Sequence, residues 1–591
     1  MPDPLLIVNA SAIQSRSFGD YRYRVEQPSV AMGGEPGITV VNIATTSPFF
    51  ERTCLQADVL IVHLLTGQDL LPILEERKRK NNCTIFEIPD NFMDFHRSVG
   101  VHALFSDPVN TASAFQYIRM ADAVQTTGTR LQMRYSFVNN NIRVFENHLM
   151  QPGTKREQNP DKTIIGWAGS LGHIDDLKFI MPAVSDLCHR FENVRFHFMG
   201  NRDHFNTLSA PIPEAQKQYT PTGTLGDYLH FLENLDIGIA PLTETEYNHC
   251  RSDIKFVEYA SRGVVPVLSS LTPYQLHAVH GRNAFLFKNG EEFLSSMAML
   301  INDRDLRARI GGNAYNYACT ERMERQHAPD RVEFYRSMCR ERPAKSMENL
   351  PLSRISPDAE AFMVEKTPAE AMLLCGINAE IAGDVTTART QYENAHVLDP
   401  GFYLPKFRLG YCALRNKMPD AAVYLEHASA INPRALRALT SLGDLYADRD
   451  EQKALHFYNK ALAISAAFTP AIEGIASIFE RNKNFAKADE LYNSALLINP
   501  FSSNALLGLG RVYEAVKKKE NALRAYETAA DLAPGSAEAQ LCLAEFYFKT
   551  GRYYDASKYG IKAMELDPKR EATRRLLNTL SALDANKILG T

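Results

Sequence analysis

The sequence predicts an α/β protein followed by an all-α solenoid, and three observations support this fold class. β-Branched runs alternate with helical segments over residues 1–160, the alternation restarts over residues 161–340, and a repeat of 34 residues governs the remainder. Strands alternating with helices form parallel sheets, and a helix-turn-helix unit of this period stacks into a superhelix. We therefore expect two Rossmann-like domains and a C-terminal helical solenoid.

The expected boundaries follow composition and period. Residues 1–155 form a first α/β domain and residues 156–340 a second one, separated by the polar segment QPGTKREQNPDK. Residues 341–365 are polar and contain several prolines, so we expect a linker. Residues 366–591 form the solenoid.

Composition narrows the class of protein. The chain has 591 residues, a formal net charge of -4 and a pI near 6.5, which does not indicate the basic surface of a nucleic-acid-binding protein. Its nine cysteines are widely spaced without a CxxC motif, which is typical of free thiols in a reducing compartment. Neither a signal sequence nor a membrane-spanning stretch is predicted, so we expect a cytoplasmic protein in which peripheral membrane contact remains possible.

The first half places polar residues after two predicted strands. The first strand, Leu5 to Val8, precedes SFGDYRYR, in which Arg22 and Arg24 are expected to face a ligand. A later strand ends in IPDNFMDFH, which offers Asp90 and His96 as catalytic candidates toward an acceptor hydroxyl. The alternative is that this segment is ordinary turn chemistry.

The second half offers two segments to an anionic ligand. The strand TIIGWA is followed by a turn with Gly169, Ser170 and His173, where backbone amides can approach a phosphate. The alternative for His173 is a structural role, which is common for a histidine in a turn. The segment RSDIKFVEYASRGVVPVLSS predicts a helix, a glycine turn and a buried strand. Its polar candidates for the ligand are Arg251, Ser252, Lys255 and Glu258. The alternative is that they form a solvated helix face.

Three motifs carry a resemblance. IGWAGSLGHIDDL, LDIGIAPL and RSDIKFVEYASRGVVPVLSS resemble the donor half of nucleotide-sugar glycosyltransferases of the GT-B fold, and in particular bacterial surface-glycan and protein glycosyltransferases of the retaining E-x7-E group. Residues 1–160 resemble the acceptor half more loosely, through YRYRVEQP, FEIPDNF and ADAVQTTGTRL.

The resemblance implies roles for individual residues. Gly169 and Ser170 would face the donor phosphates, Arg251 and Lys255 would neutralise them, and Glu258 would bind the ribose. The family pattern places its first glutamate eight positions before the second, which is Glu258 here, and at that first position this chain has Cys250. Retaining and inverting transfer therefore both remain open. No metal or other cofactor is expected, because side chains and helix dipoles usually neutralise the diphosphate in this fold.

The last part of the chain repeats. The phrases NAHVLDP, EHASAINP, NSALLINP, ETAADLAP and IKAMELDP end in prolines at 400, 433, 500, 534 and 568. The 34-residue period is that of the tetratricopeptide repeat. We expect six repeats over about residues 369–568, then a capping helix. Their concave groove is expected to bind a peptide or partner protein; the alternative is a dimerising or spacing role.

Two functions agree with these patterns. The first is a hexosyltransferase that transfers sugar from a nucleotide-sugar to a protein or surface glycan, with the repeats recruiting the acceptor or a partner. The second is a repeat scaffold that carries a degenerate, nucleotide-sensing glycosyltransferase-like module.

Overall fold

The computed structural model describes residues 3–12, 19–94, 102–105, 107–155, 157–158, 161–339 and 350–582. These residues form two α/β domains, each built around a mainly parallel sheet, and a helical array. The two sheets contain eight and six strands. An α/β protein followed by an all-α region, the predicted fold class, is confirmed.

The first sheet has the order β13-β14-β2-β1-β3-β4-β5-β6. Strands β1 to β6 pair in parallel, and their apolar residues are buried because helices cover both faces. The strands are β1 (Leu5–Ser11), β2 (Ile38–Ala44), β3 (Val59–His63), β4 (Cys83–Ile88), β5 (Ala123–Thr126) and β6 (Ile142–Val144). The helical segments are Gly19–Tyr21, the π-helical turn Arg22–Glu26, Gln27–Gly33, Phe50–Gln56, Gln68–Leu70, Leu71–Arg79, His102–Phe105, Pro108–Met120 and Thr129–Tyr135.

The second sheet is parallel throughout, with the order β12-β11-β10-β7-β8-β9. Its strands are β7 (Thr163–Ala168), β8 (Val194–Gly200), β9 (Lys217–Pro221), β10 (Ile237–Ala240), β11 (Val265–Ser269) and β12 (Phe285–Phe287). Its helices are Leu171–His173, Ile174–Lys178, Met181–Arg190, Arg202–Leu208, Glu214–Gln216, Leu225–Glu233, Glu246–His249, Ile254–Ala260, Thr272–Gln275, Gly290–Asn302 and Arg304–Glu321. The sequence pattern did not predict β9, because KQYTP has little apolar character.

The helix Glu324–Met338 returns to the first domain. Ala328, Val332 and Tyr335 share a core cluster with residues of β1 and β2, and the Tyr335 hydroxyl donates to Gln125 Oε1 at 2.7 Å. The expected second domain, residues 156–340, includes this helix. Its apolar face instead covers the first sheet, so the chain crosses between the two domains twice.

The expected linker contains structure. Strands β13 (Leu352–Arg354) and β14 (Ala361–Val364) form an antiparallel hairpin, and β14 pairs in parallel with β2. The second half of the expected linker, from Leu352 to Val364, therefore belongs to the first sheet. Residues 341–349 lie outside the described residues.

The described part of residues 366–582 forms thirteen helices, the number that six helix pairs and a cap contain. They are Pro368–Ile381, Val385–Leu398, Tyr403–Arg415, Ala421–Ile431, Leu436–Tyr446, Glu451–Ile464, Thr469–Arg481, Phe485–Ile498, Ser503–Ala515, Lys519–Leu532, Ala537–Lys549, Tyr553–Leu566 and Glu571–Ser581. Paired helices approach closely at glycines. A Cβ at Gly510 would lie 2.4 Å from the ring of Tyr526, which explains the small and large residues of the repeat pattern.

The helical array packs directly on the first α/β domain. Phe501 stacks on Phe115, in the helix Pro108–Met120, with ring centroids 4.5 Å apart. The buried Asn499 side chain donates to the Ala112 carbonyl at 2.9 Å. One core cluster contains buried residues of both parts. The array and the first domain therefore share a hydrophobic interior.

Residues near the starts of the first three repeats form hydrogen bonds with the first domain. Asp69 accepts hydrogen bonds from the Tyr403 hydroxyl at 3.0 Å and from the Arg437 backbone N–H at 3.1 Å. Thr46 donates to Glu370 at 2.6 Å. These positions of the array are thus occupied by the α/β domain.

Phe501→Ala tests this joint. Removal of the ring leaves a cavity beside Phe115, and we expect a loss of about 2–4 kcal/mol in the free energy of unfolding. Urea unfolding measures it. Tyr554→Ala, at a side chain 63% exposed in the last repeat, is the control and should change stability by less than about 0.5 kcal/mol. Equal effects of the two substitutions would contradict the packing described here.

Candidate active site

The site lies in a cleft between the two α/β domains. Residues that follow strands of the first sheet contact residues that follow strands of the second. Tyr23, after β1, donates to Glu258 at 2.6 Å, and Arg130, after β5, forms a bidentate pair with Glu246 at 3.0 and 2.6 Å. Ligands of parallel sheets bind at the carboxyl ends of strands. The cleft joins two such edges.

The segment 251–270 folds as its pattern predicts. The helix Ile254–Ala260 is followed by Gly263, at a φ of +69° that favours glycine, and then by β11. Asp253, at the helix start, pairs with the buried Arg322 at 2.5 and 2.9 Å. This pair fixes the helix at the edge of the cleft.

Glu258 is 4% exposed and accepts three hydrogen bonds. The donors are the Tyr23 hydroxyl at 2.6 Å, the Tyr228 hydroxyl at 2.5 Å and the Lys255 ammonium at 3.2 Å. Burial alone would raise the pKa of Glu258, but the Lys255 charge and the tyrosine hydroxyls outweigh it and lower this pKa. Glu258 is therefore a buried carboxylate.

The other candidates of this segment lie beside it. Lys255 Nζ also lies 2.6 Å from the Tyr228 hydroxyl, and the Arg251 guanidinium lies over the Tyr247 ring, 5.1 Å from its centroid. The Ser252 hydroxyl accepts from the Asn147 side chain at 3.0 Å, so it bridges to the segment after β6. Arg251 and Lys255 therefore contact other residues of the site and do not form the solvated helix face that was the alternative.

The loop after β7 forms the adjoining wall. A Cβ at Gly169 would lie 2.4 Å from the Trp167 ring, so this turn requires glycine, and Ser170 is exposed. His173 Nδ1 lies 3.0 Å from Asp176 Oδ2. Burial, with help from the Arg251 charge, lowers the pKa of His173 to about 4, so the ring is neutral at physiological pH.

Asp176 holds the loops after β7 and β10 together, and sequence analysis did not single it out. Its Oδ1 accepts from the Thr243 N–H, the Thr243 hydroxyl and the Asn248 amide, each at 2.8 Å. The signal was present in IGWAGSLGHIDDL, but nothing in that motif distinguishes Asp176 from Asp175.

In the first domain, Asp90 is half-buried and near Arg251 and Asp20. Burial raises the pKa of Asp90 to about 7; Arg251 opposes this shift and Asp20 adds to it. The carboxyl thus titrates near neutral pH. The other catalytic candidate, His96, lies outside the described residues.

Arg24 does not face the cleft as expected. Its guanidinium is buried in the first domain, where it pairs with Glu87 at 2.8 Å and donates to the Phe145 carbonyl at 2.6 Å. The residue that reaches the cleft is its neighbour Tyr23, together with Tyr228 from the second domain. Tyr23 lies in the motif YRYRVEQP, where the arginines are the expected ligand residues, and Tyr228 lies in none of the motifs quoted above.

Cys250 is buried, and its thiol donates to Glu246 Oε1 at 3.7 Å. Burial raises the pKa of Cys250 to about 12, so it remains a thiol. Glu246, on the preceding turn, is partly exposed toward the cleft through its pair with Arg130. A carboxylate therefore lies within 4 Å of the thiol that occupies the glutamate position.

A cavity of about 390 Å³ adjoins the site at the carboxyl ends of β10, β11 and β12. Its lining includes Thr243, Glu244, Ser270, Lys288 and Phe179. It shares Thr243 with the Asp176 contacts, so it adjoins the loops of the candidate site.

Within the described ranges, His, Cys, Asp and Glu nowhere form a group of three or more arranged to hold a metal ion. The search for membrane spans over those same ranges found no helix with the length and apolar character to cross a bilayer.

Asp176→Ala tests the loop connection. The substitution leaves the Thr243 N–H and the Asn248 amide without their acceptor, so we expect a loss on the order of 3 kcal/mol in the free energy of unfolding. Urea unfolding measures it. Asp175→Ala is the control, since that side chain is half-exposed and pairs with Lys178 on the surface. A loss no larger than the control's would show that Asp176 does not join the loops.

Comparison with known proteins gives the family of two parts. Residues 162–303 match the model of glycosyl transferases group 1, and residues 503–536 match that of the tetratricopeptide repeat. The first match covers β7 to β12 and the helix Ile254–Ala260. No curated protein matches the sequence.

Similar solved structures have low sequence identity. HepE from Anabaena, solved in complex with UDP-glucose, is 13% identical, with a TM-score of 0.44 over 56% of this chain and 100% of that chain. A glycosyltransferase from Rickettsia africae is 11% identical, with a TM-score of 0.42 over 57% and 98%. PilF from Pseudomonas aeruginosa is 17% identical, with a TM-score of 0.30 over 36% and 97%.

The group 1 match covers the domain that carries Arg251, Lys255 and Glu258. This domain faces a second parallel α/β domain across the cleft, and the repeat match lies in the helical array. The chain therefore contains a glycosyl transferases group 1 domain over residues 162–303 and a tetratricopeptide repeat over residues 503–536.

Proposed function

We propose that this protein transfers a hexose from a nucleotide-sugar donor to a protein or surface glycan, and that its repeats recruit the acceptor or a partner. One observation carries the proposal. Arg251 and Lys255 lie near His173 in the loop after β7, the buried carboxylate of Glu258 accepts from Lys255, and Asp90 of the first domain lies near Arg251.

The cations account for donor binding and departure. A nucleotide diphosphate gains negative charge as its bond to the sugar breaks, and fixed cations in a partly buried cleft stabilise that charge. Arg251 and Lys255 are the cations that stabilise this charge. The backbone amides after β7 are further hydrogen-bond donors to the phosphates. In this proposal no metal ion is required.

The acceptor side can take the proton. The oxygen of an acceptor hydroxyl forms a bond to the anomeric carbon, while the bond from that carbon to the diphosphate breaks. The hydroxyl proton passes to Asp90, whose pKa of about 7 suits a base at neutral pH. Asp90 then releases the proton to solvent.

A donor assay tests the first part. Purified protein is incubated with UDP-, GDP-, ADP- and dTDP-hexoses, and nucleotide release and thermal shift are measured. Lys255→Ala and Glu258→Ala should each weaken donor binding at least tenfold, because they remove a phosphate cation and the ribose acceptor. Lys178→Ala, at an exposed lysine of the same domain, is the control. No stabilisation by any of the donors would contradict the proposal.

The scaffold alternative keeps one observation in its favour, the thiol of Cys250 at the glutamate position. The same assay separates the two functions. A protein that is stabilised by a nucleotide but releases none from any donor, with every tested acceptor, would support a nucleotide-sensing scaffold.

For the repeats, we propose that recruitment uses the end of the array farthest from the α/β domain in sequence. The Cys542 thiol interacts electrostatically with Arg511 of the preceding repeat and with Glu545 of its own helix, and Lys549 pairs with Glu514 at 2.6 Å. No contact of the first domain with this group is among those found for the described residues. This group of side chains is therefore the surface that we propose for a partner.

A charge reversal tests recruitment. Glu545→Lys combined with Lys549→Glu should lower transfer to a protein acceptor severalfold and leave donor hydrolysis unchanged. Arg524→Glu, on the exposed side of the helix Lys519–Leu532, is the matched control. Deleting the repeats is unsuitable, because it would expose the core shared with the first domain. Unchanged transfer would place recruitment elsewhere.

A further inference from the structure

The π-helical turn Arg22–Glu26 sends consecutive side chains into different domains. It is closed by the Gln27 N–H donating to the Arg22 carbonyl, the five-residue spacing of a π-helix. Arg24 points into the first domain, where Glu87 and the Phe145 carbonyl hold it. Tyr23 crosses the cleft into the second domain. Single π-helical turns frequently occur at functional sites.

Tyr23 is built into the interior of the donor domain. It is 6% exposed and belongs to the core cluster that contains Ala168, at the end of β7, and Met199, near the end of β8. Ala168 directly precedes the Gly169–Ser170 turn. An acceptor-domain side chain thus packs under the strand ends that carry the donor loops.

Its hydroxyl ends on the carboxylate of the candidate donor site. The Tyr23 oxygen lies 2.6 Å from Glu258 Oε1. Burial, reinforced by the charge of Glu258, raises the pKa of Tyr23 well above its usual value, so the hydroxyl stays protonated and donates. Arg24 anchors the other side of the turn, so this donor is held in position.

The hydrogen bonds of Glu258 leave room for one more donor. A carboxylate has about four lone-pair positions. Tyr228 and Lys255 use Oε2, and Tyr23 uses one position on Oε1. The remaining position on Oε1 can accept one hydroxyl, and the Tyr23 bond determines how that oxygen is oriented.

We propose that Tyr23 is a positioning residue of the donor site. Through its hydrogen bond to Glu258 the acceptor domain orients the carboxylate that receives a ribose hydroxyl, so nucleotide affinity depends on contact between the two domains. The inference rests on the proposed function, and it adds a residue that the group 1 domain itself does not contain.

The test measures nucleotide affinity in variants that each lose one hydroxyl. UDP, GDP, ADP and dTDP are titrated calorimetrically against the full chain, and the nucleotide that binds best is used throughout. Tyr23→Phe should raise its Kd about five- to tenfold and raise the donor KM more than it lowers kcat. Tyr117→Phe is the matched control: it also removes one buried hydroxyl bond of the first domain, to the Gly67 carbonyl at 3.0 Å, and this bond does not involve Arg24 or Glu87. It should lower Tm similarly and leave Kd unchanged.

A double-mutant cycle shows whether Tyr23 acts through Glu258. In the Glu258→Gln background, Tyr23→Phe should change Kd less than twofold, because the oriented carboxylate is already gone. An equal loss in both backgrounds, or a Tyr23→Phe protein with the Kd of the control, would overturn the inference. If no nucleotide binds the unmodified protein, the proposed function fails as well; if one binds and Tyr23→Phe has no effect, only the inference fails.

Discussion

The buried ion pair between Arg322 and Asp253 joins three segments that form the candidate site. Asp253 precedes the helix Ile254–Ala260, Arg322 precedes the returning helix Glu324–Met338, and the same guanidinium donates to the Asn147 carbonyl at 2.8 Å. Both side chains are almost fully buried, so loss of either would leave an uncompensated charge in the interior. The position of the helix Ile254–Ala260 therefore depends on the place where the chain crosses between its domains.

A second constraint is the joint between the helical array and the first domain. Phe501 and Asn499 of the array contact the helix Pro108–Met120 of the first domain, and β14, which precedes the array, extends the first sheet. The array is thus attached to the first domain. In the proposed function this attachment places a recruited polypeptide at a fixed position relative to Asp90.

Prediction from sequence succeeded where the signal was local. The segment 251–270 shows its helix, its glycine turn and its buried strand in the order of its residues, because period and turn chemistry act over a few positions. It failed where the partner was distant. Arg24 and Tyr23 are adjacent polar residues after a strand, and only the fold decides that the first pairs with Glu87 and the second with Glu258, 235 positions away.

The sequence by itself determined the α/β and all-α classes, the 34-residue repeat and the cluster of charged candidates at one strand end, since all three are periodic or contiguous. Tertiary structure alone decided that Glu324–Met338 covers the first sheet, that residues 352–364 form a hairpin, and that a tyrosine of one domain meets the carboxylate of the other. The physical reason is that burial and hydrogen-bond saturation belong to surfaces brought together from distant segments. No local pattern records which of several amphipathic faces will meet.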